Sequence, residues 1–484
     1  MQMSSLRRLT TNVRTINVTV VTNGDLMKFD QYYLECLSHA SYLIGDESSG
    51  KAVVVDPQRD IAGYLSAAEG YGLEIVMVIE THFHADFLSG HLELAAATGA
   101  DICYSSVATP EFAVRSLADG ERVSLGEVVL EFRHTPGHTP ESMSIVVYEH
   151  EGADPYGVLT GDTLFIGDVG RPDLLASVGF TREELADNLY ESLHNKLMTL
   201  PDSTRVFPAH GAGSACGKNL STELTSTIGA QKQSNYALKA SDKATFMALV
   251  TEGQPPAPEY FVYDAVLNQK ERGLLQENVV PSPMSFDDAM AAVSGGAILL
   301  DGRDPEEFSR GHLVGAINIG MAGRYAEFAG SVIKPDVDIV LFVEPGQELE
   351  AKNRLARIGF DRVIGVVAEP YATMTSHSEQ TQIASRLTAD DFNARVREIP
   401  GLQIVDVRNP GEVAGGVAHD AATIPVGQIP ARVGELDPSL PTVVYCAGGY
   451  RSSVAASVLR QRGFIDVSDV IGGYNAWLET TQSA

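Results

Sequence analysis

Short apolar, β-branched runs alternate with longer amphipathic stretches through the first half of the chain. Residues 52–55, 75–79, 128–132, 144–147 and 158–160 have strand length and composition, and 181–197 reads as a helix. The loops between them are rich in Gly, His and Asp, an α/β pattern with polar side chains gathered at strand ends. This block runs over about 15–250, and a polar, proline-bearing stretch at 251–258 opens a linker expected to extend to about 280. The remainder repeats itself. The run from Asp301 and Arg303 through His312 to Ile319 returns weakly as Asp406-Val-Arg408-Asn-Pro-Gly-Glu412. Each copy opens with a capped helical stretch (285–293; 390–397) and an apolar strand (297–300; 402–405). Each later carries a strand and a helix ending in a basic residue before Gly-Phe (Arg357 to Phe360; Arg462 to Phe464). Two tandem α/β domains, 281–378 and 384–484, are the economical reading.

Composition narrows the picture. A chain of 484 residues exceeds a single hydrophobic core, so about three domains are expected. The apolar runs are strand-sized and far short of a bilayer span, and no secretory signal is visible, which points to a cytoplasmic protein without a membrane partner. The net charge of −28 repels phosphate backbones and sets nucleic acid aside. It also means that an anionic substrate needs locally placed Arg or Lys. Four scattered cysteines (Cys36, Cys103, Cys216, Cys446) make no disulfide framework and fit a reducing compartment. The first 20 residues hold Arg7, Arg8 and Arg14 with Ser and Thr and no acid; they read as a frayed terminus, with a transit segment as the alternative.

Ligand-type side chains then recur after the strands of the first block. Thr81-His82-Phe83-His84-Ala85-Asp86-Phe87 follows one strand directly; His138, Asp162 and His210 each follow another. Four such loops in one domain are a strong metal signal. The elements resemble the metallo-β-lactamase fold, whose signature is His-x-His-x-Asp-His followed by separate His, Asp and His loops, over about 34–217. The resemblance implies His82, His84, His138 and Asp162 at a first metal site, and Asp86, His210 and the shared Asp162 at a second. The last motif histidine is Phe87 here, which removes one donor from the second site and weakens the dinuclear reading without ending it. The Phe variant, with Pro-Gly-His138-Thr-Pro-Glu-Ser and Gly170-Arg171-Pro-Asp173, is similar to the persulfide dioxygenase branch. That branch implies one Fe(II) per chain held by His82, His138 and Asp162, with His84 outside the first shell. Two His and one carboxylate leave open positions for a persulfide sulfur and O2 together, whereas zinc supports hydrolysis alone. Spacing does not separate the metals. Arg171 is a candidate for gripping a substrate carboxylate, or for a salt bridge with Asp173. Cys216 either touches substrate or is a plain buried thiol.

In the last block, Tyr445-Cys446-Ala-Gly448-Gly449-Tyr-Arg451-Ser-Ser runs from a strand into a helix. Backbone N–H groups at that helix start form an anion nest, Gly448 and Gly449 let the chain curl around sulfur, and Arg451 adds positive charge. With Asp406-Val-Arg408 and Gly472-Gly473-Tyr-Asn-Ala-Trp477, this block resembles a rhodanese domain over about 384–481, and the 281–378 copy resembles its scaffold. The resemblance implies a Cys446 persulfide that hands its outer sulfur to an acceptor. The copy's loop, Leu341-Phe-Val-Glu344-Pro-Gly-Gln347-Glu348, has no cysteine and is expected to be catalytically dead.

The expected architecture is therefore a metallo-β-lactamase αββα sandwich followed by two tandem rhodanese-like α/β domains. The expected function is oxidation of a thiol persulfide, carried by glutathione or another low-molecular-weight thiol, to sulfite, coupled to sulfur transfer involving thiosulfate or sulfite. Tethering two sites that share a sulfur substrate raises its effective concentration. The resemblance also implies a homo-oligomer. The alternatives are a zinc-dependent thioester hydrolase of the glyoxalase II type with an attached sulfurtransferase, and a sulfur carrier or sensor whose metal domain is structural.

Overall fold

In a computed structural model the described residues are 13–16, 26–174, 179–254 and 257–482, so Arg7 and Arg8 lie outside them. By its internal contacts the chain divides into two units. The first holds 1–83, 89–254 and 269–271; the second holds 84–88, 255–268 and 272–484.

Two sheets face each other in the first unit. One orders Val13–Ile16, Met27–Leu34, His39–Asp46, Lys51–Val55, Glu74–Ile79, Asp101–Ser105 and Arg115–Leu117 side by side. The other runs Ser226–Thr227, Arg205–Pro208, Gly157–Gly161, Met143–Tyr148, Val129–His134 and Arg122–Ser124. Alternation explains the layers. Val53, Val55 and Ile79 of the first sheet meet Leu130, Phe132, Ile145, Val147 and Leu159 of the second in one core. Their sequence neighbours point outward and are buried too. Ala52, Val54 and Val78 pack on Tyr64 and Ala68 of the helix Ala62–Tyr71. Val146, Val158 and Val206 pack on Ala186 and Leu189 of the helix Arg182–Ser192. Strands covered on both faces read as continuous apolar runs, which is the pattern the sequence shows. The helix expected over 181–197 is Arg182–Ser192 behind a Thr181 capping box with Glu184, continued by a π turn at Leu193–Leu197.

Strand direction places the polar loops. Lys51–Val55 and Glu74–Ile79 are parallel, so Asp56 and Thr81–His82 leave at one edge of their sheet. Gly157–Gly161 and Arg205–Pro208 are parallel as well, and deliver Asp162 and His210 together. Val129–His134 turns back antiparallel into Met143–Tyr148, which carries His138 on the connecting loop at that same edge of the second sheet.

In the second unit the internal repeat becomes two parallel sheets of identical strand order. The first runs Pro283–Met284, Val363–Val367, Ile339–Phe342, Ile298–Asp301 and Ile317–Asn318. The second runs Ser385–Leu387, Val467–Val470, Thr442–Tyr445, Gln403–Asp406 and Ala422–Thr423. Ser285 and Thr388 cap the opening helices, Phe286–Ser294 and Ala389–Glu398. The stretch expected as a linker contains a helix, Tyr260–Leu267, with Tyr260, Phe261, Asp264 and Ala265 buried. Its polar flanks hid it, and tertiary contact holds it: a Cβ on Gly330 would come within 2.4 Å of the Tyr260 ring. No helix among the described residues is long and apolar enough to cross a membrane.

Candidate metal centre and cysteine loop

His82, His138 and Asp162 converge in the first unit, all buried, with one ligand-type atom of each within 4.8 Å of the others. Asp162 Oδ2 lies 3.4 Å from His138 Nε2 and 3.9 Å from His82 Nε2. The hydrogen bonds behind these rings assign their tautomers. Thr81 Oγ1 donates to Asp56 Oδ2 at 2.9 Å, so toward His82 Nδ1, also at 2.9 Å, it can only accept. His82 therefore carries a proton on Nδ1, and Nε2 is the atom that its neutral ring would offer as a ligand. His138 Nδ1 faces the Arg171 carbonyl at 2.9 Å, which again leaves Nε2 as the lone pair. His210 Nδ1 donates to Asp162 Oδ1 at 2.7 Å and turns Oδ2 toward the two imidazoles. Two neutral imidazole nitrogens and one carboxylate oxygen are a complete donor set for a divalent transition metal. Each donor is oriented by a group behind it, the arrangement metal sites use to fix ligand geometry.

The backbone around the trio is fixed just as tightly. Asp56 Oδ1 accepts the Thr81 N–H at 2.7 Å, and Glu141 accepts the Phe83 N–H at 2.9 Å. A Cβ on Gly170 would fall 1.9 Å from the Asp162 carbonyl oxygen, so only glycine lets the two loops approach. The guanidinium of Arg171 is 3% exposed, bidentate on Asp173 at 2.7 Å for both bonds, and donates to the Ala215 carbonyl at 3.1 Å. The salt bridge with Asp173 is therefore formed in this structure. Burial would raise the Asp173 carboxyl, but the Arg171 hydrogen bonds and charge outweigh it and hold its pKa below the ordinary range. Cys216 is buried, and its carbonyl accepts the Arg171 N–H at 3.0 Å. His84, Asp86 and His210 are not members of the trio. His84 and Asp86 sit on segment 84–88 of the second unit, where Asn268 Nδ2 donates to the His84 and Phe87 carbonyls at 2.8 and 2.9 Å. The His84 and Phe87 rings lie 4.3 Å apart.

The cysteine loop forms as the sequence suggests. Cys446 ends the strand Thr442–Tyr445 and precedes the helix Tyr450–Gln461. Gly449, at φ +97°, donates its N–H to Cys446 Sγ at 3.1 Å, and Ser452 Oγ lies 3.6 Å away. The start of the helix Gly473–Gln482 backs the loop, with Tyr474 N–H donating to the Cys446 carbonyl at 2.6 Å. Glu412 and Tyr450 were not singled out by the sequence. Glu412 takes Arg451 in a bidentate pair at 2.6 Å for each bond. Tyr450 Oη donates to the Gly320 carbonyl of the other copy at 2.7 Å, and its ring occupies the space a Cβ on Gly323 would need. Only Tyr450's place in the loop hinted at this; a contact across 130 residues leaves no local signature.

In the other copy Phe342 faces Asp301 as Tyr445 faces Asp406, which puts Val343 where Cys446 stands. Gly346, at φ +91°, matches Gly449. Its N–H donates to Glu348 Oε1 at 3.0 Å, so the acid at the Arg451 position fills the nest itself.

Residues 34–210 match the family model of the metallo-beta-lactamase superfamily, and 285–370 and 388–480 match that of the rhodanese-like domain. A mitochondrial persulfide dioxygenase of Bos taurus is 33% identical over 176 residues, 35% of this chain and 63% of that protein, so the chain spans under two thirds of this relative. A cytoplasmic hydroxyacylglutathione hydrolase of Arabidopsis thaliana is 32% identical over 182 residues, 37% of this chain and 66% of that protein. A crystal structure described as a metallo-beta-lactamase from Staphylococcus aureus superposes with a TM-score of 0.64 at 34% identity, over 71% of this chain and 99% of that one.

Proposed function

Because the chain belongs to the metallo-beta-lactamase superfamily and continues into two rhodanese-like domains, we propose that it oxidises a low-molecular-weight thiol persulfide with O2 and transfers sulfane sulfur through Cys446. The observation that carries this reading is the three-member donor set, His82, His138 and Asp162, with both imidazoles held in the Nδ1–H tautomer. The similarity to a persulfide dioxygenase supports it. The overall reaction is RSSH + O2 + H2O → RSH + SO3²⁻ + 2 H⁺. One Fe(II) per chain, held by the trio, would supply the redox chemistry and the open positions that bring sulfur and O2 together.

The protein's own part is orientation. Thr81 and the Arg171 carbonyl keep the imidazole lone pairs aimed inward, and His210 keeps Asp162 Oδ2 aimed at them. Arg171 and Asp173 act by fixing that carbonyl. In the last domain Cys446 thiolate attacks the outer sulfur of a donor, the donor's S–S bond breaks, and a Cys446 persulfide forms. The Val343 copy, with Glu348 in its nest, takes no part in that step.

The second reading is a zinc thioester hydrolase, favoured by the similarity to a hydroxyacylglutathione hydrolase. O2 uptake on adding glutathione persulfide to anaerobically purified protein, with iron and zinc quantified in the same sample, separates the two. Iron-dependent uptake with sulfite appearing supports the dioxygenase. Zinc-loaded protein that consumes no O2 after exchange to Fe(II) supports the hydrolase.

A further inference from the structure

Each basic group at the cysteine loop already has a carboxylate. Arg408 is bonded to Asp406, at 2.6 Å for its shortest contact, and stacks on Tyr474 with the guanidinium 3.9 Å from the ring centre. Arg451, the cation nearest the sulfur in sequence, is held end-on by both oxygens of Glu412 at 2.6 Å. Glu412 is itself built in: one oxygen accepts the Asn409 N–H at 3.0 Å and its own carbonyl accepts from Arg408 at 3.2 Å. Burial would raise the Glu412 carboxyl, but Arg451 and the Asn409 N–H outweigh it and hold the pKa low, so the pair stays ionised at neutral pH. Glu327, on the neighbouring copy, lies within electrostatic reach of the same guanidinium.

We propose that Glu412 is a specificity residue: by pairing with Arg451 it offsets the positive charge beside Cys446, so the loop accepts sulfur from persulfides and discriminates against divalent sulfur oxyanions. The inference rests on the sulfurtransferase reading of Cys446. Backbone N–H groups such as that of Gly449 accommodate the single charge of a thiolate or of a bound outer sulfur. A thiosulfate dianion brings further negative charge towards the Glu412 carboxylate, whose Arg451 partner is already engaged. A thiol persulfide transfers the same atom with one charge at the reacting end. The steps balance in both cases. Cys446–S⁻ + RSS⁻ + H⁺ gives Cys446–SS⁻ + RSH, and Cys446–S⁻ + S2O3²⁻ gives Cys446–SS⁻ + SO3²⁻. In each, the new S–S bond forms as the donor's breaks, and the leaving group departs with the electron pair.

Glu412→Gln removes the charge and keeps an amide oxygen for the helix cap. Full-length protein, anaerobic to silence the oxygenase, is mixed with thiosulfate or with a small alkyl persulfide. Sulfur added to Cys446 is read by intact mass after acid quench. Because Glu412 is partly exposed, at 36% of its side chain, the thiosulfate-to-persulfide ratio of loading rates should rise roughly tenfold in the variant, a screened fraction of the bare repulsion. In the unaltered protein, added salt should speed loading by thiosulfate and leave loading by the persulfide little changed. That second measurement stands even if the variant does not fold. A ratio that stays level or falls in Glu412→Gln overturns the proposal, as does thiosulfate loading that slows with salt. If neither donor adds sulfur to Cys446 in the unaltered protein, the sulfurtransferase reading falls and the proposal with it.

Discussion

Asp162→Asn tests the metal centre with the least change of shape. Asp162 Oδ1 accepts from His210 at 2.7 Å, while Oδ2 faces the imidazoles at 3.4 and 3.9 Å. An asparagine that keeps the His210 bond must offer its oxygen there and turn its NH2 toward the two Nε2 atoms, where a donor cannot ligate. Changes behind a ligand cost about 10- to 100-fold in metal affinity, so loss of a ligand should cost at least about 100-fold. At a free Fe(II) concentration of about 100 times the original Kd, binding stabilises the unaltered protein by about 2.7 kcal/mol; a hundredfold weaker site keeps about 0.4 kcal/mol. For a domain of this size that is a thermal shift of roughly 5–10 °C reduced to about 1 °C. The metal-free variant should melt no lower than the metal-free parent, because a neutral amide replaces a buried carboxylate. Anaerobic thermal scans with and without Fe(II), and metal content after desalting, make the comparison. An Asp162→Asn protein that retains a full complement of metal and the full shift would refute the ligand assignment.

Cys446→Ser should abolish sulfane loading from any donor while O2 uptake with added glutathione persulfide continues; loss of both would mean that the two activities are not independent. Tyr450→Phe deletes the 2.7 Å hydrogen bond to the Gly320 carbonyl and should cost about 1 kcal/mol, seen as a several-fold slower alkylation of Cys446 with a melting temperature lowered by only about 2–4 °C. An unchanged alkylation rate would make that contact packing alone. Burial lowers the His312 pKa to about 4 in spite of its bond to the Phe308 carbonyl. Its folded pKa thus lies below the unfolded value, so its contribution is complete above about pH 6.5 and is lost as pH falls through 4, about 3 kcal/mol in all. Denaturation followed by Trp477, the chain's single tryptophan, should show that loss between pH 7 and 4, and His312→Asn should flatten it.

Ligand-type side chains at strand ends were legible because they need only a local pattern: an apolar run, then His or Asp. Thus His82, His84, Asp86, His138, Asp162 and His210 stood out together, with the family resemblance alone setting His82, His138 and Asp162 apart, and so did Cys446 in its glycine loop. The repeat was legible for the same reason, since Asp301-x-Arg303 and Asp406-x-Arg408 build identical strand ends, with each Arg bonding back to its own Asp at 2.6 Å. The other copy's loop could be read as well, since it has no cysteine and carries the acids Glu344 and Glu348. The helix Tyr260–Leu267 was not, because its neighbours carry no periodic pattern and its burial comes from residues such as Gly330, distant in sequence.

Sequence alone therefore determined which residue types the protein brings to its two sites, because side-chain identity and strand or helix periodicity are local properties. Tertiary structure decided what each group is free to do. Arg171 reads equally as a substrate grip or a salt bridge, and the fold commits three of its five N–H donors to Asp173 and the Ala215 carbonyl. Arg451 reads as an isolated anion anchor, and the fold pairs it with Glu412. His210 reads as a ligand in the sequence, and the fold adds that its Nδ1 orients the Asp162 carboxylate. A charge or lone pair acts only through what remains after its nearest partner is satisfied, and that partner is fixed by packing between segments the sequence keeps far apart.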